Sequence, residues 1–313
     1  MMILALAGGV GGARLASGLA ECSAPGTLML VVNTGDDFVH YGLHISPDLD
    51  SVMYALADRN DEERGWGLRG ETWRCMQALE KLGADAWFRL GDQDIATHLL
   101  RTTLLSDGAS LTEATRALCQ GFGLAHTIMP MSDQAVPTRI RTDEGLLDFQ
   151  DYFVRRQCSP RILGMDYGAA ACAQPSVAFQ HGLQAPDLEA IVFCPSNPYL
   201  SIGPILELAG VRDGLRTRRV PAVAVSPIIG GSAVKGPLAK IITEQGMKVG
   251  PAAIARYYAG LIDGLVIDLQ DAACRSEIED LGIRVCVAQT MMTDRQSRAA
   301  LARQTVDFAT GLN

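Results

Sequence analysis

Four glycines directly after an apolar run, and before a stretch able to form a helix, mark the first place where this chain could do chemistry. The run Met2-Ile-Leu-Ala-Leu-Ala7 leads into Gly8, Gly9, Val10, Gly11 and Gly12, and then into Ala13-Arg14-Leu15. Glycines let a backbone turn tightly and approach a ligand closely, and the free N–H groups and positive dipole end of the next helix favour an anion there. A nucleotide diphosphate is the expected class of ligand; a purely structural strand-to-helix turn is the plainer alternative. No Lys-Ser/Thr pair follows the glycines, so the segment is not a P-loop, and its order also breaks the Gly-x-Gly-x-x-Gly dinucleotide fingerprint. A kinase, an NTPase and an NAD(P)-dependent oxidoreductase are disfavoured accordingly.

Carboxylates form the second signal. Asp36, Asp37, Asp48, Asp50 and Asp61 fall within a short span, the first two directly after another apolar run. Such a group suits Mg²⁺, which takes a few hard oxygen ligands and completes its shell with water and substrate phosphates. Ser46-Pro-Asp-Leu-Asp50 also reads as a helix start, where an aspartate only caps free N–H groups. Trp87-Phe-Arg-Leu-Gly-Asp-Gln-Asp94 sets aromatic surface, a cation and two carboxylates on a strand-to-helix turn. Arg89 could stack on a flat, electron-rich ligand while Asp92 and Asp94 cap the following helix; otherwise the segment is a buried aromatic pair beside a capped helix. In Pro195-Ser-Asn-Pro-Tyr-Leu-Ser-Ile-Gly-Pro204, Ser196 and Asn197 can donate to a phosphate or form an Asx-type turn. Ser226-Pro-Ile-Ile-Gly-Gly-Ser-Ala-Val-Lys-Gly236 adds a further glycine-bearing loop, with Ser226 at its head and Lys235 available to a phosphate. His40 and His44 have the spacing of a helical metal pair, but the Tyr-Gly between them and the lack of a third ligand disfavour zinc.

Residues so scattered need a scaffold that gathers loops at one edge. Short apolar runs at 2–8, 28–33, 190–195, 220–226, 263–268 and 283–288, separated by helix-length segments, have the rhythm of βα units. The expected fold is α/β, a Rossmann-like, mostly parallel sheet with helices on both faces, whose ligand lies beyond the carboxyl ends of the strands. Between them, 68–122 is patterned for helices, including a Ser-x-x-Glu capping box at Ser110, and 127–154 for short strands in a small antiparallel excursion. The chain therefore reads as a single domain over 1–313, with an insertion or cap at roughly 65–185 lying over the site.

Composition sets outer bounds. At 313 residues, 48% hydrophobic and 20% charged, the chain is globular throughout, and its net charge of −8 argues against nucleic acid as a partner. Eight cysteines without a C-x-x-C pair read as reduced core residues. No basic leader precedes the first strand, and no apolar run reaches the roughly 18 residues needed to span a bilayer, so a cytoplasmic protein without membrane contact is expected. The oligomeric state stays open, with a homodimer common among enzymes of this size and class.

With these residues in hand, the chain resembles the 2-phospho-L-lactate transferase family of coenzyme F-420 biosynthesis over nearly its whole length. The resemblance rests on Gly8-Gly-Val-Gly-Gly-Ala-Arg-Leu15, Val32-Asn-Thr-Gly-Asp-Asp37, Ile45-Ser-Pro-Asp-Leu-Asp50, Gly65-Trp-Gly67, Leu90-Gly-Asp92, Leu99-Leu-Arg-Thr102, Met129-Pro-Met-Ser-Asp133, Phe149-Gln-Asp-Tyr152, Pro195-Ser-Asn-Pro198, Ser201-Ile-Gly-Pro-Ile205 and Val225-Ser-Pro-Ile-Ile229. It implies Mg²⁺-assisted transfer of a phospho-hydroxyacid moiety from a guanosine diphosphate-linked donor to the ribityl hydroxyl of the deazaflavin precursor Fo, with release of GMP. The donor acid would be 2-phospholactate, phosphoenolpyruvate or 3-phosphoglycerate. It further implies that Asp50 and Arg89 contact Fo, that Asp50 orients or deprotonates the attacking hydroxyl, and that Asp48 and Asp50 are the candidate metal ligands. Two positions depart from the family pattern: Cys194 stands for the usual Gly, and Gln93 for the usual Arg or Lys. The competing reading is a nucleotide- or nucleotide-sugar-binding regulatory protein of the gluconeogenesis-factor type.

Overall fold

The computed structural model describes residues 2–234 and 236–312. From its start, β1 (Met2–Ala7) leads through α1 (Gly9–Cys22) to β2 (Leu28–Val32), a hairpin of β3 (Phe38–His40) and β4 (Leu43–Ile45), and α2 (Pro47–Leu56). Helices α3 (Arg74–Lys81), α4 (Asp92–Ser106) and α5 (Leu111–Gly121) precede β5 (Thr127–Pro130), β6 (Arg139–Thr142), β7 (Gly145–Asp148) and β8 (Ile162–Asp166). Then come β9 (Leu188–Phe193), β10 (Ala222–Val225), a hairpin of β11 (Ile228–Ile229) and β12 (Ser232–Ala233), β13 (Gly264–Asp268), β14 (Arg284–Ala288) and the helix Arg295–Thr310.

Seven strands form one sheet in the order β14-β13-β10-β9-β1-β2-β5, every neighbouring pair parallel. Strand β1 explains why a sheet forms here at all. All six of its residues are buried, with Leu4 and Leu6 in the core on one face and Ile3, Ala5 and Ala7 in the core on the other. A strand covered on both faces reads as a continuous apolar run, and this made six of the seven visible from sequence.

The seventh strand corrects the expectation for 127–154. Instead of joining the antiparallel excursion, β5 pairs with β2 at the edge of the main sheet, Met29 opposite Thr127. Its terminal Pro130 lacks an N–H and is tolerated because an edge strand has no further neighbour to donate to. The excursion itself is the three-stranded antiparallel sheet β7-β6-β8, so the span 65–185 contains one strand of the main sheet. The capping box at Ser110 forms: its hydroxyl accepts from Glu113 N–H while Glu113 accepts from Ser110 N–H. All eight cysteines are free thiols. No helix of the described residues is long and apolar enough to cross a membrane.

Candidate active site

The strand order reverses between β1 and β9, so the loops after these two strands diverge to opposite sides and leave a crevice at the carboxyl edge of the sheet. The glycine loop follows β1 and Pro195-Ser-Asn197 follows β9. Together they floor a cleft of ≈ 760 Å³. The two loops approach so closely that side chains are excluded: a Cβ at Gly11 would lie 2.4 Å from the Pro195 carbonyl oxygen, and one at Gly12 would lie 2.3 Å from Ser196 Oγ. Gly9, at φ +62, takes the left-handed conformation that glycine tolerates best. Ser196 Oγ accepts from Gly8 N–H at 3.0 Å, which fixes the two loops to each other. Asn197 turns its oxygen inward, accepting from Tyr199 and Leu200 N–H, the Asx-type arrangement. Ser226, at the end of β10, closes its own turn by exchanging hydrogen bonds with Ile228. Gly8, Gly9, Val10, Gly11, Ser196, Asn197 and Ser226 all line the cleft, whereas Gly12 is buried beneath it. Lys235 lies outside the described residues.

The acidic residues divide into two groups. Asp48 does not cap its own helix α2; its carboxylate reaches across to α1, accepting from Gly9 N–H at 2.6 Å and from Asn33 Nδ2 at 2.9 Å. The same Asn33 amide donates to Asp36 at 3.2 Å. Burial pushes the Asp48 carboxyl up to about 6, against the hydrogen bonds from Asn33 and Gly9 that favour its charged form. Burial likewise raises Asp36 well above the usual carboxylate range, and the neighbouring Asp48 and Asp37 charges add to the effect. Among the described residues no cation pairs with Asp36 or Asp48. Two crowded, buried, hard oxygen donors beside a phosphate-type loop fit a divalent cation such as Mg²⁺.

Asp50 belongs to the second group. Both of its oxygens face Arg101, a fully buried arginine of α4, with Arg101 Nη1 3.2 Å from Asp50 Oδ2 and Nη2 against Oδ1. Arg101 also donates to His98 Nδ1 at 3.2 Å, which leaves His98 Nε2 facing Asp94 at 3.4 Å. Tyr54 donates to Asp94 at 2.6 Å. Burial pushes the Asp94 carboxyl up, but His98 and Tyr54 outweigh it and hold Asp94 below the usual range. Asp50, Asp94 and His98 place ligand atoms within 4.8 Å of one another. Asp94, His98 and Arg101 follow an i, i+4, i+7 spacing on α4, and that polar stripe is the sequence signal that would have found them.

At its other end the cleft is walled by rings: Trp66, Trp87, Phe88, Phe149 and Phe153. Phe149 and Phe153 stack with centroids 5.4 Å apart, and Arg155 covers Trp87 at 4.8 Å. Arg89 lines this end and lies 5.5 Å over Trp73, while Arg64 lies 4.8 Å over the same ring. The starts of α3 and α4 are capped reciprocally, α3 from the first residue of α4 and α4 from the segment leading into α3. The Glu71 carboxylate accepts from Gln93 and Asp94 N–H at the start of α4, and the Asp92 carboxylate accepts from Arg74 and Cys75 N–H at the start of α3. Asp92 and Asp94 thus do not cap their own helix, because Glu71 has that place. Gln93 points away from the cleft toward the Arg69 and Gly70 carbonyls, and Cys194 is buried at the end of β9. His40 and His44 sit on the β3–β4 hairpin, with His44 Nε2 at 3.1 Å from Asp37.

Fold and site together define a class: a Rossmann-like α/β protein with a glycine-floored cleft at the switch point of its sheet. Residues 3–306 match the family described as 2-phospho-L-lactate transferase CofD, and the chain belongs to that family, a family of transferases in F-420 biosynthesis. It is 38% identical over 315 residues to a phosphoenolpyruvate transferase of Streptomyces griseus, covering 99% of this chain and 98% of the relative. It is 37% identical over 310 residues to a 2-phospho-L-lactate transferase of Methanosarcina acetivorans, with the same coverage of 99% and 98%. Among solved structures, a member of the UPF0052 family from Bacillus halodurans shares the fold, with a TM-score of 0.63 at 14% identity over 97% of this chain and 98% of that one. The chain is therefore an enzyme of the transferase class.

Proposed function

We propose that this transferase moves a phospho-hydroxyacid moiety from a guanosine diphosphate-linked donor to the ribityl hydroxyl of Fo, releasing GMP. The observation that carries this reading is the continuity of one cleft from a glycine loop and helix start to a wall of aromatic rings. One end suits a diphosphate and the other a flat ring system, and a group moving between two such substrates must pass where the ends meet. Asp50 lines this cleft and is the residue assigned to that step. Clamped by Arg101, it is held in one orientation and serves to orient the attacking hydroxyl or accept its proton. Arg89 offers a planar cation to the acceptor ring. The N–H groups of Val10 and Gly11, at the start of α1, face the diphosphate.

Asp48 and Asp36 would hold Mg²⁺, whereas Asp50, already satisfied by Arg101, is the weaker of the two metal ligands expected from sequence. The bound ion would supply charge neutralisation at the diphosphate as GMP departs. The relatives named above divide between 2-phospholactate and phosphoenolpyruvate, which differ by a methyl against a methylene group, a difference that one or two pocket side chains can set. The test is an Mg²⁺-dependent assay with Fo and each of the three donors, read by mass spectrometry for product and released GMP. Product from one donor is the expected result. A folded protein that binds GDP yet gives no product from any donor would overturn the reading in favour of a nucleotide-binding regulator.

A further inference from the structure

A second cleft, of ≈ 440 Å³, opens at the amino ends of β10, β13 and β14, the edge of the sheet opposite the switch-point loops. No residue lines both clefts. Four arginines line it. Arg216, Arg218 and Arg219 come from the segment entering β10, and Arg284 opens β14. Among the described residues, Asp263 is the one carboxylate that shares the lining. Its Oδ2 accepts from Arg218 Nη2 at 2.6 Å and from Ala222 N–H at 2.8 Å, so Arg218 is neutralised and held. Arg216 lies 3.4 Å from the exposed Asp213. Arg219 is exposed and has no partner among the described residues, and Arg284 donates to the Leu312 carbonyl without meeting a described carboxylate. Among the described residues, two guanidinium charges are therefore left without carboxylate partners in a concave site, on a protein whose net charge is −8.

We infer that this cleft binds a small phosphate ligand carrying two or more negative charges, the diphosphate group being the shared chemistry. Guanidinium forks match phosphate oxygens in pairs, and two forks without a described carboxylate partner, lining one cleft with a third that Asp263 holds, suit adjacent phosphoryl groups. The cleft volume lies within the range of small-ligand sites and is too small to track a nucleic-acid backbone.

The experiment is calorimetric titration of the whole protein with inorganic pyrophosphate, GDP and sulfate, comparing wild type with R219A/R284A. Pyrophosphate affinity for one site should fall about tenfold per arginine removed, with the transferase activity and melting temperature unchanged. An equal loss for GDP identifies the diphosphate of a nucleotide as the group read, and a loss for pyrophosphate alone identifies the free ion. Should the double variant fail to fold, R219A, which removes an exposed and unpaired side chain, carries the same test with about a tenfold effect. Identical titrations of wild type and variant would overturn the assignment, as would sulfate binding as tightly as pyrophosphate.

Discussion

The two ends of the switch-point cleft are built on different principles. The glycine-loop end is made of backbone: Gly8, Gly11 and Gly12 leave no room for a Cβ, and Ser196 and Asp48 bond directly to the loop's N–H groups. The aromatic end is made of side chains, several of them open to water, with Trp66 41% and Phe153 39% exposed. A site made of backbone is fixed by the sheet that carries it, and its dimensions cannot drift without unpacking the core. A site made of half-exposed rings can change residue by residue at little cost to folding.

Cutting the tie between α2 and α4 beneath the cleft should have the largest effect. Arg101→Leu leaves Asp50 buried without its counter-ion, and a loss of about 3–5 kcal/mol is expected in chemical denaturation. Adding Asp50→Asn should recover part of that stability but none of the transferase activity; a single variant with the wild-type midpoint would show that Arg101 does not anchor α4 to the core. Next comes Gly11→Ala, whose methyl group must displace the Pro195 carbonyl, at an expected cost of about 1–3 kcal/mol together with weakened GDP binding. Trp66→Ala should behave in the opposite way: stability within about 0.5 kcal/mol of wild type, and a raised KM for the acceptor alone. If Gly11→Ala and Trp66→Ala changed stability equally, the contrast between backbone and side-chain construction would collapse.

The smallest effect concerns Asp268, whose carboxylate joins the loops after β13 and β14 by accepting from Gln270 and Thr290. Burial pushes this carboxyl up, but those hydrogen bonds outweigh it and hold it below the usual range. A depressed folded-state value means stability that is present above the unfolded value, near 3.9, and is lost as pH falls through the folded one. Asp268→Asn should therefore be less stable than wild type at neutral pH, with the gap closing in thermal melts taken progressively below about pH 4.

What sequence could and could not reveal divides along the same line. The glycine loop and the doubly buried strands carry their signal locally, in residues a few positions apart. Their deeper reason is not local, because Gly11 and Gly12 are small for the sake of Pro195 and Ser196, on the far side of the switch point. Asp50 stood out as one of a group of acids, but its partner Arg101 lies in another helix, and a buried arginine looks like a surface one until the fold brings it inside. Strand β5 escapes the sequence pattern because four residues ending in proline carry neither a clear alternation nor an unbroken apolar run. Asp92 looked like a cap and is one, though for α3 and not for its own helix.

That exchange of caps has a kinetic meaning. The first donors of α3 are satisfied by Asp92 at the start of α4, and those of α4 by Glu71 in the segment that leads into α3, so neither helix start can open alone without stranding amides on the other. The pair works as a latch with two interlocked hooks. In hydrogen exchange the amides of Arg74, Cys75, Gln93 and Asp94 should open together and at one rate, so that the ground beneath the aromatic wall lifts as a unit or stays shut.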